Sequence, residues 1–126
     1  GMDELMARIR AAIRRGGEPL PSTPAFSCEH FSLDFDSRRC EAGGLAVHLT
    51  PTEWRMLAEL ARHDGRVVPH QNLLRAAWGP AYGRESNYLR VYSSQLRHKL
   101  EPDPSRPRYL ITEPGIGYRL VRQSIG

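Results

Sequence analysis

The stretch that decides the fold is residues 86–121, SNYLRVYSSQLRHKLEPDPSRPRYLITEPGIGYRLV. Its first half has the 3.6-residue periodicity of an amphipathic helix that ends at Leu100, just before a proline. Its second half holds two short apolar segments on either side of the turn 113–117 (EPGIG), a pattern that predicts a β-hairpin. A helix followed directly by a hairpin is therefore expected at the C-terminal end.

The predicted helix has an apolar back and a polar front. At 100° per residue, Leu89, Leu96 and Leu100 share the back, beside Tyr92 and Ser93. The front and its flanks hold Asn87, Arg90, Val91, Ser94, Gln95, Arg97, His98 and Glu101. Arginine and glutamine side chains of this kind bond base edges in the major groove of DNA. A polar front is also typical of an ordinary solvated helix, so this helix alone does not decide between the two.

Two more helices are predicted upstream. TPTE at 50–53 is a capping box with proline at the first helical position, and it predicts a helix over 50–64. Its buried stripe is expected to hold Trp54, Leu57, Leu60 and Ala61. A short strand is predicted at 66–68, a helix at 69–78 and a loop at 80–85. Two helices joined by a turn and followed by a hairpin form the arrangement in which the second helix enters the major groove.

The segments outside these helices divide the chain further. Strict alternation at Phe31, Leu33 and Phe35 predicts three or four short antiparallel strands over 26–48. Residues 3–15 have the pattern of an amphipathic helix, and the proline- and glycine-rich segment that follows has the composition of a linker. We therefore expect a separate helical segment at 1–16, a linker at 17–25 and one domain at 26–126.

Composition excludes several classes of protein. The 126 residues carry 18 basic and 14 acidic side chains, a net charge of +4, which is only mildly basic. No apolar run approaches the ~20 residues of a bilayer span, and the N-terminal segment lacks the apolar core of a secretory signal. We expect a cytoplasmic protein with no membrane contact.

Catalytic and metal-binding patterns are also missing from the sequence. The five histidines and two cysteines have no metal-ligand spacing, and we expect Cys28 and Cys40 to be free thiols. There is no nucleophile elbow, phosphate-binding loop or HExxH motif. The sequence therefore predicts no enzyme, no catalytic residue, no metal and no cofactor.

Four segments together resemble a known family. LTPTEWRMLAEL (49–60), WGP (78–80), YLRVYSSQLRHKLE (88–101) and ITEPGIGYRL (111–120) are similar to the OmpR/PhoB-type winged-helix output domain of bacterial two-component response regulators. The resemblance covers 26–121 and implies an α+β winged helix-turn-helix fold: an N-terminal four-stranded antiparallel sheet, a three-helix core and a C-terminal β-hairpin wing. It also implies that 1–16 is the remnant of the last helix of a receiver domain.

The same resemblance implies a function and its partners. Family members regulate transcription by binding double-stranded promoter DNA as homodimers on direct-repeat half-sites. The loop equivalent to 78–85 contacts RNA polymerase in activators, and a sensor histidine kinase acts through the receiver domain. The run 85–119 is most similar to family members that control a potassium-uptake operon.

The resemblance implies roles for individual residues of this chain. Base-reading positions fall on Val91 and Gln95, with Ser94 and His98 nearby. Positions that hold the DNA backbone fall on Asn87, Tyr88, Tyr92, Arg97, Trp78, Thr112 and Tyr118. Trp78 and Tyr118 fit the edge of the core equally well.

Two positions depart from the family pattern. Arg90 stands where many members have an acidic residue, which adds positive charge to the DNA face. Pro114 stands where some members have an arginine that enters the minor groove, which leaves Arg119 as the nearest candidate.

The alternative function is a winged-helix module that binds another protein. That alternative favours apolar or acidic residues on the helix front, and Val91 is the one aliphatic residue there.

Overall fold

The structure is a computed structural model of the chain, and it describes residues 25–82 and 86–122. The predicted helix at 3–15 and all but the last residue of the predicted linker lie outside the described residues, as do residues 83–85 of the predicted loop. In the described part of the chain, no helix has both the length and the apolar character needed to cross a bilayer.

The N-terminal sheet has four antiparallel strands in chain order, as expected. They are β1 (Phe26–Ser27), β2 (Phe31–Asp34), β3 (Arg39–Ala42) and β4 (Leu45–Ala46). Phe31 and Leu33 are buried and their neighbours are exposed, which confirms the alternation. Cys40 pairs with Leu33 across the sheet and is also buried, so this face of the sheet covers the helices.

Three helices form the body of the domain: α1 (Pro51–Arg62), α2 (His70–Trp78) and α3 (Ser86–Leu100). The predicted capping box is present at the start of α1. The Glu53 N–H donates to Thr50 Oγ1 at 3.2 Å, and the Thr50 N–H donates to Glu53 Oε1 at 2.8 Å. The predicted stripe of α1, from Trp54 to Ala61, lies in the core.

The hairpin is the wing, formed by β6 (Leu110–Glu113) and β7 (Gly117–Leu120). The strand expected at 66–68 starts two residues later and is shorter, as β5 (Val68–Pro69), and it pairs with β7. The wing sheet therefore has the order β5-β7-β6. The His70 N–H also donates to the Ile116 carbonyl at 3.0 Å. These contacts attach the wing to the body, a connection that periodicity alone does not predict.

Gly117 is required by the close approach of β7 to β5. A Cβ at this position would overlap the Val68 carbonyl group and lie 2.7 Å from its carbon, which is a backbone atom that cannot move aside.

We expect Gly117→Ala to lower the free energy of unfolding by about 3 kcal/mol, measured by urea denaturation. Gly115→Ala is the control, because Gly115 has φ +78° but no atom within 4 Å of the added Cβ. Its strain costs about 1 kcal/mol. Equal losses in the two variants would contradict the close approach.

The buried thiol of Cys40 should react slowly in the folded protein. Burial raises the pKa of Cys40 from 9.0 to about 11. That rise lowers the thiolate fraction near neutral pH about a hundredfold. We expect alkylation at pH 8 to be slower in native protein than in urea by at least about this factor, measured by mass spectrometry in a Cys28→Ser background. The pKa of Cys40 is higher in the folded protein than in the unfolded chain. The contribution of this thiol to the free energy of unfolding is therefore complete below pH 9.0, and it is lost as the pH rises through about 11. Equal rates in native and unfolded protein would show that the thiol is not protected.

Candidate nucleic-acid interface

The front of α3 faces solvent along most of the helix. Val91 is 53% exposed although it is aliphatic. The exposed members, called the exposed front below, are Asn87, Tyr88, Arg90, Val91, Ser94, Gln95 and His98. Arg90 carries a positive charge there, and no acidic side chain belongs to the exposed front. The helix therefore presents a neutral-to-basic surface, as predicted.

The back of α3 explains why this front faces outward. Leu89, Leu96 and Leu100 are buried in the core. Ser93 is buried beside them, and its hydroxyl donates to the Arg90 carbonyl at 3.0 Å, so the polar group is satisfied within the helix. Burial of these leucines fixes the rotation of the helix about its axis, and with it the side chains that face outward.

His98 is held in one orientation on the exposed front. Its Nδ1 lies 2.8 Å from the Ser94 carbonyl oxygen one turn earlier. A carbonyl only accepts hydrogen bonds, so Nδ1 carries the hydrogen, and Nε2 of the neutral ring is an acceptor. His98 can therefore accept a hydrogen bond from an amino group on a base edge.

One residue of the predicted front is buried instead. Glu101 was expected to flank the front, but it lies just beyond the end of α3 and is only 6% exposed. Its carboxylate accepts hydrogen bonds from the backbone N–H groups of Arg108, Tyr109 and Leu110 at 2.8, 3.0 and 2.7 Å. The prediction was wrong because the backbone of residues 108–110 covers the carboxylate at the end of the helix, a tertiary contact that the periodicity of α3 cannot show.

Arg97 is half-buried between α3 and the wing. Its Nε and Nη2 both donate to the Leu110 carbonyl, at 3.1 and 3.0 Å, and Nη2 also donates to Thr112 Oγ1 at 2.6 Å. Desolvation by burial lowers the pKa of Arg97 below its usual range. The guanidinium therefore contacts another protein element, and its contact to a DNA phosphate stays a prediction.

Four aromatic side chains form a cluster between the end of α2 and the first turns of α3. The Trp78 ring is 4.9 Å from that of Tyr92 and 5.6 Å from that of Tyr88, measured between centroids, and Tyr82 lies 6.2 Å from Tyr88. Tyr88 is 38% exposed. Trp78 and Tyr92 are partly buried against the core. Trp78 thus supports the first turns of α3, and its contact to the DNA backbone stays a prediction.

The wing presents less free charge than its sequence suggests. Arg119 Nε forms an ion pair with Glu113 Oε2 at 2.7 Å, so this candidate for the minor groove already has an acidic partner. Tyr118 is 5% exposed, and its ring packs 5.6 Å from that of His70. Its surroundings are those of the core edge, and a DNA contact from Tyr118 stays a prediction.

The exposed residues at and near the tip of the wing include uncharged side chains. Pro114 and Ile116 are both exposed there, and Thr112 is exposed on β6. Exposure of Ile116 was not predicted, although its place in the turn between two glycines is a usable signal. Within residues 25–82 and 86–122, no group of three or more His, Cys, Asp or Glu side chains could hold a metal ion.

Relatives with known names resemble this chain over nearly all of its length. A family model described as "Transcriptional regulatory protein, C terminal" matches residues 44–120. The chain is 50% identical over 120 residues to the transcriptional regulatory protein KdpE of Mycobacterium tuberculosis, covering 94% of this chain and 53% of the relative. It is 44% identical over 121 residues to the KDP operon transcriptional regulatory protein KdpE of Escherichia coli, covering 96% and 54%. The chain thus spans about half the length of these curated relatives.

Solved structures resemble the fold. The Klebsiella pneumoniae RstA DNA-binding domain in complex with the RstA box superposes with a TM-score of 0.68 at 28% identity, covering 79% of this chain and 98% of that one. The DNA-binding domain of CpxR from E. coli superposes with a TM-score of 0.66 at 27% identity, covering 80% and 99%.

Proposed function

The chain belongs to the OmpR/PhoB-type family of C-terminal domains of transcriptional regulatory proteins, and we propose that it binds promoter DNA by inserting α3 into the major groove. The exposed front of α3 is the observation that carries this proposal. It places Val91 and Gln95 one turn apart on the outside of the helix that follows the turn of a helix-turn-helix, with Arg90 beside them and no acid among them.

Each part of the interface has a role in the proposed complex. Gln95 forms paired hydrogen bonds with an adenine edge, and Val91 contacts a thymine methyl. Ser94 and His98 read neighbouring base edges. The DNA backbone is held by a wider ring of residues, namely Trp78, Asn87, Tyr88, Tyr92, Arg97, Thr112 and Tyr118. Arg90 adds positive charge to this face, and Arg119 is the nearest wing candidate for the minor groove. Phosphate contacts of this kind set the register and orientation of α3 in the groove.

The relatives support a regulatory context for the proposal. Similarity to the KDP operon regulator of E. coli supports control of a potassium-uptake operon. In this proposal residues 26–126 are the output domain, 17–25 are the linker and 1–16 are the end of a receiver domain that a sensor histidine kinase phosphorylates. Two copies bind direct-repeat half-sites, and the loop 78–85 contacts RNA polymerase.

A titration against duplex DNA tests the proposal and its alternative. Sequences selected from a random duplex library should contain two half-sites in direct repeat, and an inverted repeat would contradict the head-to-tail arrangement. The logarithm of the binding constant should fall linearly with the logarithm of salt concentration, because phosphate contacts release counterions. No binding, or affinity independent of salt, would favour a module that binds another protein.

Removal of the Gln95 amide should change base preference at one position. We expect Gln95→Ala to lose about 1–3 kcal/mol of discrimination between adenine and the other bases there, because the paired hydrogen bonds are gone. The measurement compares affinities for four duplexes that differ at that base pair. Gln71→Ala, which truncates an exposed glutamine on α2, should keep the base preference of the parent. An unchanged preference in Gln95→Ala would remove Gln95 from the base-reading set.

A further inference from the structure

We propose that Arg97 and Glu101 are positioning residues that fix the wing against α3, so that the helix and the wing meet DNA as one rigid unit. The proposal rests on the proposed function, and it gives Arg97 a positioning role in addition to the backbone contact assigned above. The two side chains and the Leu110 backbone between them are called the Leu110 clamp.

The acidic half of the clamp holds the start of the wing. Glu101 is buried, and it accepts three successive backbone N–H groups, ending with that of Leu110 at 2.7 Å. Hydrogen bonds to a carboxylate are stronger than those between neutral groups, and burial removes the competition of water. The segment that enters β6 is therefore fixed to the end of α3.

Arg97, the basic half of the clamp, bonds the carbonyl group of Leu110. Arg97 lies four residues before Glu101, on the same side of α3, and donates twice to the Leu110 carbonyl. Among residues 25–82 and 86–122, β6 is an edge strand of the wing sheet, since its one partner strand there is β7. Both backbone groups of Leu110 are thus bonded to side chains from the end of α3, which closes this edge at its first residue.

The clamp also orients a residue of the proposed interface. Arg97 Nη2 donates to Thr112 Oγ1 at 2.6 Å, and Thr112 is exposed on β6. Between α3 and β6 the chain runs through Pro102, Pro104 and Pro107, a segment with few backbone N–H donors of its own. Loss of the clamp would therefore let the wing shift while β5 still holds its opposite edge.

The first test separates charge from geometry at position 97. Arg97→Lys keeps the positive charge but loses the planar fork that reaches Leu110 and Thr112 together. We expect this variant to lose about tenfold in DNA affinity, the effect of a lost hydrogen bond to a charged group. Arg106→Lys is the control, because Arg106 is exposed outside the proposed interface, and it should stay within about twofold of the parent. Parent-like affinity in Arg97→Lys would overturn the proposal and favour a simple phosphate contact.

The second test asks whether a substitution of Glu101 weakens or tightens DNA binding. Glu101→Gln removes a negative charge near the proposed DNA surface, which by electrostatics alone would tighten binding. The clamp predicts the opposite, a loss of about tenfold, because the amide group cannot accept all three N–H bonds. Asp103→Asn removes the same charge from an exposed residue of the same segment, and it should bind as well as the parent or more tightly. Unchanged or tighter binding by Glu101→Gln would overturn the proposal.

Amide hydrogen exchange measures the clamp without DNA. In both variants the Leu110 amide should exchange faster than in the parent, while the amide of Leu57 in the core keeps its protection. If the parent binds no duplex, the proposed function fails, and these rates still decide whether the clamp holds the wing. If Glu101→Gln does not fold, Arg97→Lys decides alone. Unchanged protection of Leu110 in a folded variant would overturn the clamp.

Discussion

The architecture depends on the buried carboxylate of Glu53, which is 0% exposed. Its Oε1 accepts the Thr50 N–H at 2.8 Å and the Lys99 ammonium at 2.7 Å. Thr50 and Glu53 start α1 beneath the N-terminal sheet, and Lys99 lies in the last turn of α3. A charge this deeply buried is tolerated only with a close partner, so the ion pair fixes where the end of α3 lies on α1.

The last turn of α3 is therefore held from two directions. Lys99 reaches back to the start of α1, and Arg97 reaches forward to β6. The two side chains are separated by two positions, which places them on different sides of the helix. Core leucines fix the rotation of α3, and these polar contacts fix its position along the axis. The exposed front inherits its orientation from the leucine back of α3 and from these two polar contacts.

Features that depend on neighbours in sequence were predictable. The capping box at Thr50 and Glu53, the leucine back of α3 and the turn 113–117 all follow from patterns spanning a few residues. The contacts that position the candidate site join residues far apart in the chain. Arg97 with Thr112, Glu101 with Leu110 and β5 with β7 require the tertiary structure, because periodicity describes one element at a time. Glu101 shows the limit, since its pattern indicated solvent and its three N–H partners explain its burial.

Lys99 is the one lysine among the 18 basic residues of the chain. The chain therefore has a single ε-amino group, and that group is the cation that compensates the Glu53 carboxylate. Acetylation would neutralise the ammonium and leave a buried carboxylate without its counter-ion. Lysine acylation, usually a surface modification, would in this protein act on the support of α3 rather than on its exposed front.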